Sequence, residues 1–156
     1  MSGIKDIWLY ANNIIRSSRH IINESLKPLN LSSSEGNILI HLITQEQQLR
    51  QEEIVGQLDI SKPAVSRALE SLEKKGYVVR EKDPSDKRAS QVMLTEKVRA
   101  IAPQIERVYN EVFSIAAQGI TEAEIMDFIE LFGKVSRNFS GARKRRKQSE
   151  DKFNVQ

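Results

Sequence analysis

The sequence predicts a mainly α-helical chain with one small β-hairpin, an α+β fold class, and three observations carry that prediction. Apolar side chains recur at helical spacing through most of the chain. Cap and stop residues fall at the ends of those runs. The period changes once, in YVVREKDPSDKRASQVML at 77–94, where β-branched and aromatic residues flank turn chemistry.

The first helix covers 4–26, with Ile4, Ile7, Trp8, Ala11, Ile14, Ile15, Ile22 and Leu26 on its apolar stripe. KPLNLSSS breaks it. Ser32 and Glu35 then have capping-box spacing, which starts a second helix through Ile38, Leu39, Leu42 and Ile43. A short third helix covers roughly 51–58, with Ile54, Val55 and Leu58 inward. Asp59-Ile60 connects it to a fourth, for which Ser61 is a good N-cap. Pro63 falls in the first turn, where a missing N–H costs nothing. Val65, Leu69 and Leu72 form the buried stripe, and Gly76 suits the left-handed position after the helix. After the hairpin, Thr95 is expected to cap a helix whose stripe runs from Val98 to Ala116. Pro103 within it either bends the axis or leaves a carbonyl unpaired. Thr121 and Glu124 repeat the capping-box spacing and open a last helix through Phe139.

At 156 residues the chain suits one domain, or a small domain with a helical extension. It has no cysteine, which excludes disulfides, thiolate metal sites and thiol redox sensing. No basic run followed by a long apolar segment opens the chain, so a cytoplasmic location is expected. The net charge is +3, and its distribution is uneven. Residues 1–60 carry 5 basic and 7 acidic side chains, and residues 91–142 carry the same numbers. Residues 61–90 carry 8 and 5, and residues 143–156 carry 6 and 2. The excess lies in the middle segment and the tail, which suggests an anionic partner for one face.

The order helix, short helix, three-residue turn, helix, hairpin is that of a helix-turn-helix followed by a wing. In that arrangement the second helix enters the DNA major groove with its N-terminal residues nearest the base edges. Those residues are Ser61, Lys62, Ala64, Ser66 and Arg67, with Lys62, Ser66 and Arg67 on the outward arc. Arg67 has the fork geometry to read guanine, typically worth about 1–3 kcal/mol of discrimination. Lys62 and Ser66 suit phosphates equally, which position without specifying. The same order also suits an ordinary packed helix pair with a solvated face.

The hairpin adds more. SKPAVSRALESLEKKGYVVREKDPSDKRASQVMLT, residues 61–95, resembles the MarR family of winged-helix transcriptional regulators. The resemblance is carried by Asp86-Lys87-Arg88 followed by Leu94-Thr95, at the spacing of that family's wing motif. It implies that Arg88 reaches toward the minor groove, with Lys87 presented beside it, and that Asp86 holds the wing in shape as the partner of Arg88. A narrow minor groove attracts a guanidinium, while an unpaired carboxylate beside DNA is repelled. The family's usual Ser or Thr before the short helix is replaced by Arg50, so a cap is missing there and a phosphate contact is one role for Arg50.

The resemblance further implies a homodimer that binds double-stranded DNA at an inverted repeat and represses transcription. The implied layout is a single domain over 1–142. Its DNA-binding lobe lies at about 32–95, and its dimerisation region is formed by helices at about 4–26 and 96–140. The stripes of 98–116 and 125–139 are too rich for one small core, which agrees. Residues 143–156 lack an apolar stripe and are expected to form a disordered basic tail. Relief by a small aromatic or phenolic effector is also implied, with Trp8, Ile15, His41 and Tyr109 as lining residues. A helical adaptor that binds proteins without DNA is the alternative. No enzyme signature, cofactor or metal site is expected: His20 and His41 stand alone, and pairings with Glu24 or Glu46 supply two ligands where zinc wants three or four.

Overall fold

The computed structural model describes residues 2–45, 48–58 and 60–153. The chain divides into two compact units, Met1–Phe113 and Ser114–Gln156. Helices α1 (Ser2–Leu26), α2 (Ser33–Gln45), α3 (Gln51–Leu58) and α4 (Lys62–Lys74) precede the hairpin of β2 (Val78–Lys82) and β3 (Ser90–Leu94). A two-residue strand β1 (Leu49–Arg50) lies between α2 and α3. Helix α5 (Ala102–Ala117) passes from the first unit into the second, and α6 (Glu122–Phe153) makes up most of the latter.

The expected caps form. Ser32 Oγ accepts from the Glu35 N–H at 3.2 Å, and Glu35 Oε2 accepts from the Ser32 N–H at 2.8 Å. Thr121 and Glu124 exchange the same pair of bonds at 3.3 and 2.8 Å to open α6. Gly76 takes φ +78° after α4, a left-handed conformation that side chains with a Cβ rarely adopt.

One core gathers the inward stripes of the first unit. Leu26, Ile38, Leu39, Ile54, Val65, Leu69, Leu72, Val78, Val92 and Ile105 are fully buried. Each such aliphatic side chain contributes about 1.5–3 kcal/mol on leaving water, so the helix-turn-helix and the hairpin fold as one body. Gly36 sits in a crowded place, where an added Cβ would clash with Leu26 Cδ1 and come within 3.0 Å of the Tyr109 hydroxyl. We expect Gly36→Ala to destabilise the fold by about 1–3 kcal/mol through overpacking. An unchanged urea midpoint would contradict that crowding.

Four features differ from the sequence expectations. The strand β1 adds a third member to the sheet, in the order β1-β3-β2, with Leu49 opposite Val92 and Arg50 opposite Gln91. The helix expected from Thr95 onward is split into a 3-10 turn at Glu96–Ala100 and then α5, so Pro103 sits in a first turn instead of an interior. Thr95 makes no side-chain cap, because its hydroxyl donates to the Gly76 carbonyl at 2.6 Å. Finally, α6 continues to Phe153 where a disordered tail was expected. Its last residues, ARKRRKQSEDKF, contain no proline or β-branched side chain and extend a helix already nucleated. Among the described residues no helix is long and apolar enough to cross a membrane.

Candidate nucleic-acid interface

Helix α4 starts at Ser61, whose hydroxyl accepts from the Ala64 N–H at 3.4 Å. Val65, Ala68, Leu69 and Leu72 anchor it from below. This leaves Lys62 and Arg67 exposed and Ala64 and Ser66 half-buried. Neither Lys62 nor Arg67 makes an ion pair or hydrogen bond among the described residues. The carboxylates of the same helix are neutralised. Lys74 pairs with Glu70 at 2.9 Å, and Arg80 on β2 pairs with Glu73 at 2.6 Å. These bonds hold the Glu70 and Glu73 carboxyls below the usual range, with the Lys74 and Arg80 hydrogen bonds the main causes. The result is a helix N-terminus whose own positive dipole end is joined by two free cations.

The wing loop, residues 83–89, is built on a buried carboxylate. Asp83 is 3% exposed, and its Oδ1 accepts from the Ser85 hydroxyl at 2.6 Å and the Ser85 N–H at 2.8 Å. Its Oδ2 accepts no hydrogen bond of suitable angle among the described residues but faces Arg50 Nε at 2.7 Å as an ion pair. Arg50 also donates to the Ser85 hydroxyl at 3.3 Å. Arg50, for which the sequence suggested a phosphate, is therefore committed to the base of the wing. The missing cap before α3 is replaced by Glu53, which accepts from the Arg50 N–H at 2.6 Å. The Ser85 hydrogen bonds, followed by the charge of Arg50, lower the Asp83 carboxyl to about 2. Because the folded value lies below the ordinary 3.8, this contribution is complete above about pH 4 and is lost as pH falls toward 2. Asp83→Asn is expected to flatten the acid limb of stability in that window. An identical acid profile for the variant would contradict the assignment.

Asp86 acts on the backbone. Its Oδ1 accepts from the Arg88 N–H at 2.9 Å, a two-residue side-chain turn, and no ion pair with the Arg88 guanidinium forms. The expected Asp86 partnership thus steadies the loop, and it leaves the Arg88 side chain unspent. Lys87 and Arg88 are both exposed and without partners among the described residues. Lys62 and Arg88, from the two elements, border one concave pocket of about 150 Å³ together with Arg50, Gln51, Glu52 and Ser90. Ser61, Ser66, Arg67 and Lys87 do not line it.

The far end of α4 is clamped. Lys75 Nζ contacts both oxygens of buried Glu35 at 2.8 and 3.0 Å and donates to the Asn30 carbonyl at 2.6 Å. Burial is the largest influence on Glu35 and raises its carboxyl, but hydrogen bonds from Lys75, Ser71 and Ser32 together outweigh it and leave the group lowered. Lys97 donates to the Lys75 carbonyl at 2.6 Å and lies 5.0 Å above the Tyr77 ring. This clamp fixes the direction of α4 relative to α2 and the hairpin.

The residues expected to line an effector site do not converge. Tyr109 is a core residue whose hydroxyl donates to Asn37, and burial pushes its phenol up. Trp8 and Ile15 are 65% and 54% exposed on α1, and half-buried His41 meets Gln57 through Nε2. Of the two carboxylates weighed beside the histidines and set aside, Glu46 lies outside the described residues. Glu24, the other, is paired with Lys27 at 2.6 Å. A separate cleft of about 600 Å³ in the first unit is lined by the apolar Leu42, Ile43, Met93, Leu94, Val98 and Ala102 together with the polar Gln48, Thr95, Glu96 and Arg99. No local sequence signal marks it, because its lining joins α2 and the nearby Gln48 to residues 93–102, which are distant from them in the chain.

Fold and site define a winged helix-turn-helix of the regulator type. A model of the MarR family matches residues 29–89, which span α2 through the wing. A SlyA-like transcription regulator from Listeria monocytogenes is 30% identical, with 88% of this chain and 89% of that chain covered and a TM-score of 0.75. A MarR family transcriptional regulator from Listeria monocytogenes, solved with a 26-mer DNA, is 29% identical over 89% of both chains, with a TM-score of 0.76. A MarR transcriptional regulator from Methanosarcina mazei Go1 shares the fold at 24% identity and a TM-score of 0.77, with 86% and 99% covered. The chain belongs to the MarR family of transcriptional regulators.

Proposed function

We propose that the protein is a sequence-specific regulator that binds double-stranded DNA as a homodimer and represses transcription from an inverted-repeat operator. The observation that carries this reading is the set of unpaired cations, Lys62 and Arg67 on α4 and Lys87 and Arg88 on the wing, while Glu70 and Glu73 of α4 are each already paired with another cation. Lys62 and Ser66 meet phosphates, Arg67 reads a base edge, and Arg88 enters the minor groove. The Listeria relative solved with DNA supports the same partner. An adaptor without DNA gives no reason for cations held free at a helix N-terminus and a braced loop tip.

The dimer draws support from apolar surface. On α1 alone, Ile4, Trp8, Leu9, Tyr10 and Ile14 are each more than half exposed. Patches of this size mark protein interfaces. Relief by a small aromatic or phenolic effector is supported by the 600 Å³ cleft, which has the size of a ligand site and mixes apolar side chains with Thr95, Glu96 and Arg99. It borders β3 and the start of α5, so an occupant would bear on the wing strand.

Selection of bound sequences from a random duplex library tests the reading. The expected product is an inverted repeat with half-sites separated by about 10–10.5 base pairs or a multiple of that distance. Failure to enrich any sequence would overturn sequence-specific recognition.

A further inference from the structure

Helix α6 carries charge that the proposed interface leaves unused. Residues 131–149 contain no aspartate or glutamate and seven basic side chains. Of these, Lys134 is paired with Glu130 at 2.8 Å. Arg143, Lys144, Arg145, Arg146 and Lys147 are exposed and make no ion pair or hydrogen bond among the described side chains, which in α6 reach Ser149. All five stand on continuous helix, since α6 runs to Phe153.

Consecutive helical positions differ by about 100°, so five of them surround the axis. The cations therefore form a collar instead of a stripe. A helix that lies in a membrane interface needs an apolar face opposite its basic one, and the collar has none. Five like charges within one and a half turns repel one another, and Arg143, Lys144 and Arg145 have no acidic residue three or four positions away on either side to relieve them. Duplex DNA, with one charge per about 1.7 Å of axis, is a polyanion that relieves this repulsion, and its condensed counterions supply the driving force on release. Helical order also lowers the entropic cost of engagement relative to a flexible tail.

We infer that residues 143–147 form a second DNA contact, one that neutralises phosphates outside the base-reading site and carries no sequence information. This rests on the DNA-binding reading above. The collar adds affinity and salt dependence equally for all flanking sequences.

The test uses the full chain, a variant with Arg143→Gln, Lys144→Gln, Arg145→Gln, Arg146→Gln and Lys147→Gln, and a charge-keeping variant with Arg143→Lys, Arg145→Lys and Arg146→Lys. Each is titrated with salt against two duplexes sharing one selected operator, one ending at the operator and one extended by about a helical turn on each side. The full chain is expected to prefer the extended duplex. The glutamine variant should lose that preference, its log–log salt slope shallower by about 2.7 if three phosphate contacts vanish. The lysine variant should keep both. Equal slopes and affinities for the glutamine variant and the full chain on the extended duplex would overturn the collar while leaving the wing assignment intact. So would an equal loss in the lysine variant, or collar-dependent binding to phosphatidylserine vesicles with DNA binding unchanged. Absence of duplex binding by the full chain at low salt would overturn both readings at once.

Discussion

Arg88→Ala is expected to weaken operator binding by about tenfold per protomer and to leave folding intact. The magnitude follows from losing one charge-assisted contact, about 1.5 kcal/mol, where each 1.4 kcal/mol is a factor of ten. Folding is spared because the Arg88 guanidinium has no partner among the described residues, and the loop is held through the Arg88 N–H, which alanine retains. Anisotropy of a labelled operator measures the first effect and the thermal midpoint the second. Unchanged affinity would remove Arg88 from the interface. A large fall in the midpoint would instead make it a structural residue.

The largest stability effect is expected at Lys75. Lys75→Met leaves Glu35, 4% exposed, without its main charge partner. Breaking a buried pair by removing one member costs on the order of 3 kcal/mol, because the remaining charge keeps its desolvation penalty. The pH dependence should also weaken. With Lys75 present the Glu35 carboxyl is lowered, so the pair stabilises above the ordinary 4.5 and fades as pH falls. Without it, the lowering by Lys75 is lost while burial and the Ser71 and Ser32 hydrogen bonds remain, so the carboxyl rises relative to the parent's and the variant loses less stability on acidification. Urea midpoints of both proteins at neutral and mildly acidic pH check this. A constant difference across pH would contradict the role given to Glu35.

Signals confined to a few residues made most of the fold legible. Ser32 with Glu35, Ser61 with Pro63, Gly76, and Thr121 with Glu124 each act within one turn of helix, and each appears where the spacing puts it. Helix α4 was equally legible, because burial of Val65, Leu69 and Leu72 dictates which side Lys62 and Arg67 occupy. What escaped notice depends on distant partners. Arg50 has no local reason to be anything but a free cation, yet a two-residue strand brings it against Asp83. Asp83 itself read as one turn residue among several, although it is the buried member of the loop and Asp86 the exposed one. Thr95 looked like a cap because the competing acceptor, the Gly76 carbonyl, is supplied by the hairpin closing on itself. The helical tail was missed for a different reason. Absence of an apolar stripe argues against packing, not against a helix that strong helix formers can extend from an existing one.

Duplex binding as a function of salt tests the central claim most directly. If Lys62, Arg67, Lys87 and Arg88 face DNA in each of two protomers, binding is tight at about 50 mM salt, and log affinity falls steeply with log salt at about 0.9 per phosphate contact. Failure to bind any duplex at that salt, or an affinity indifferent to salt, would contradict the account.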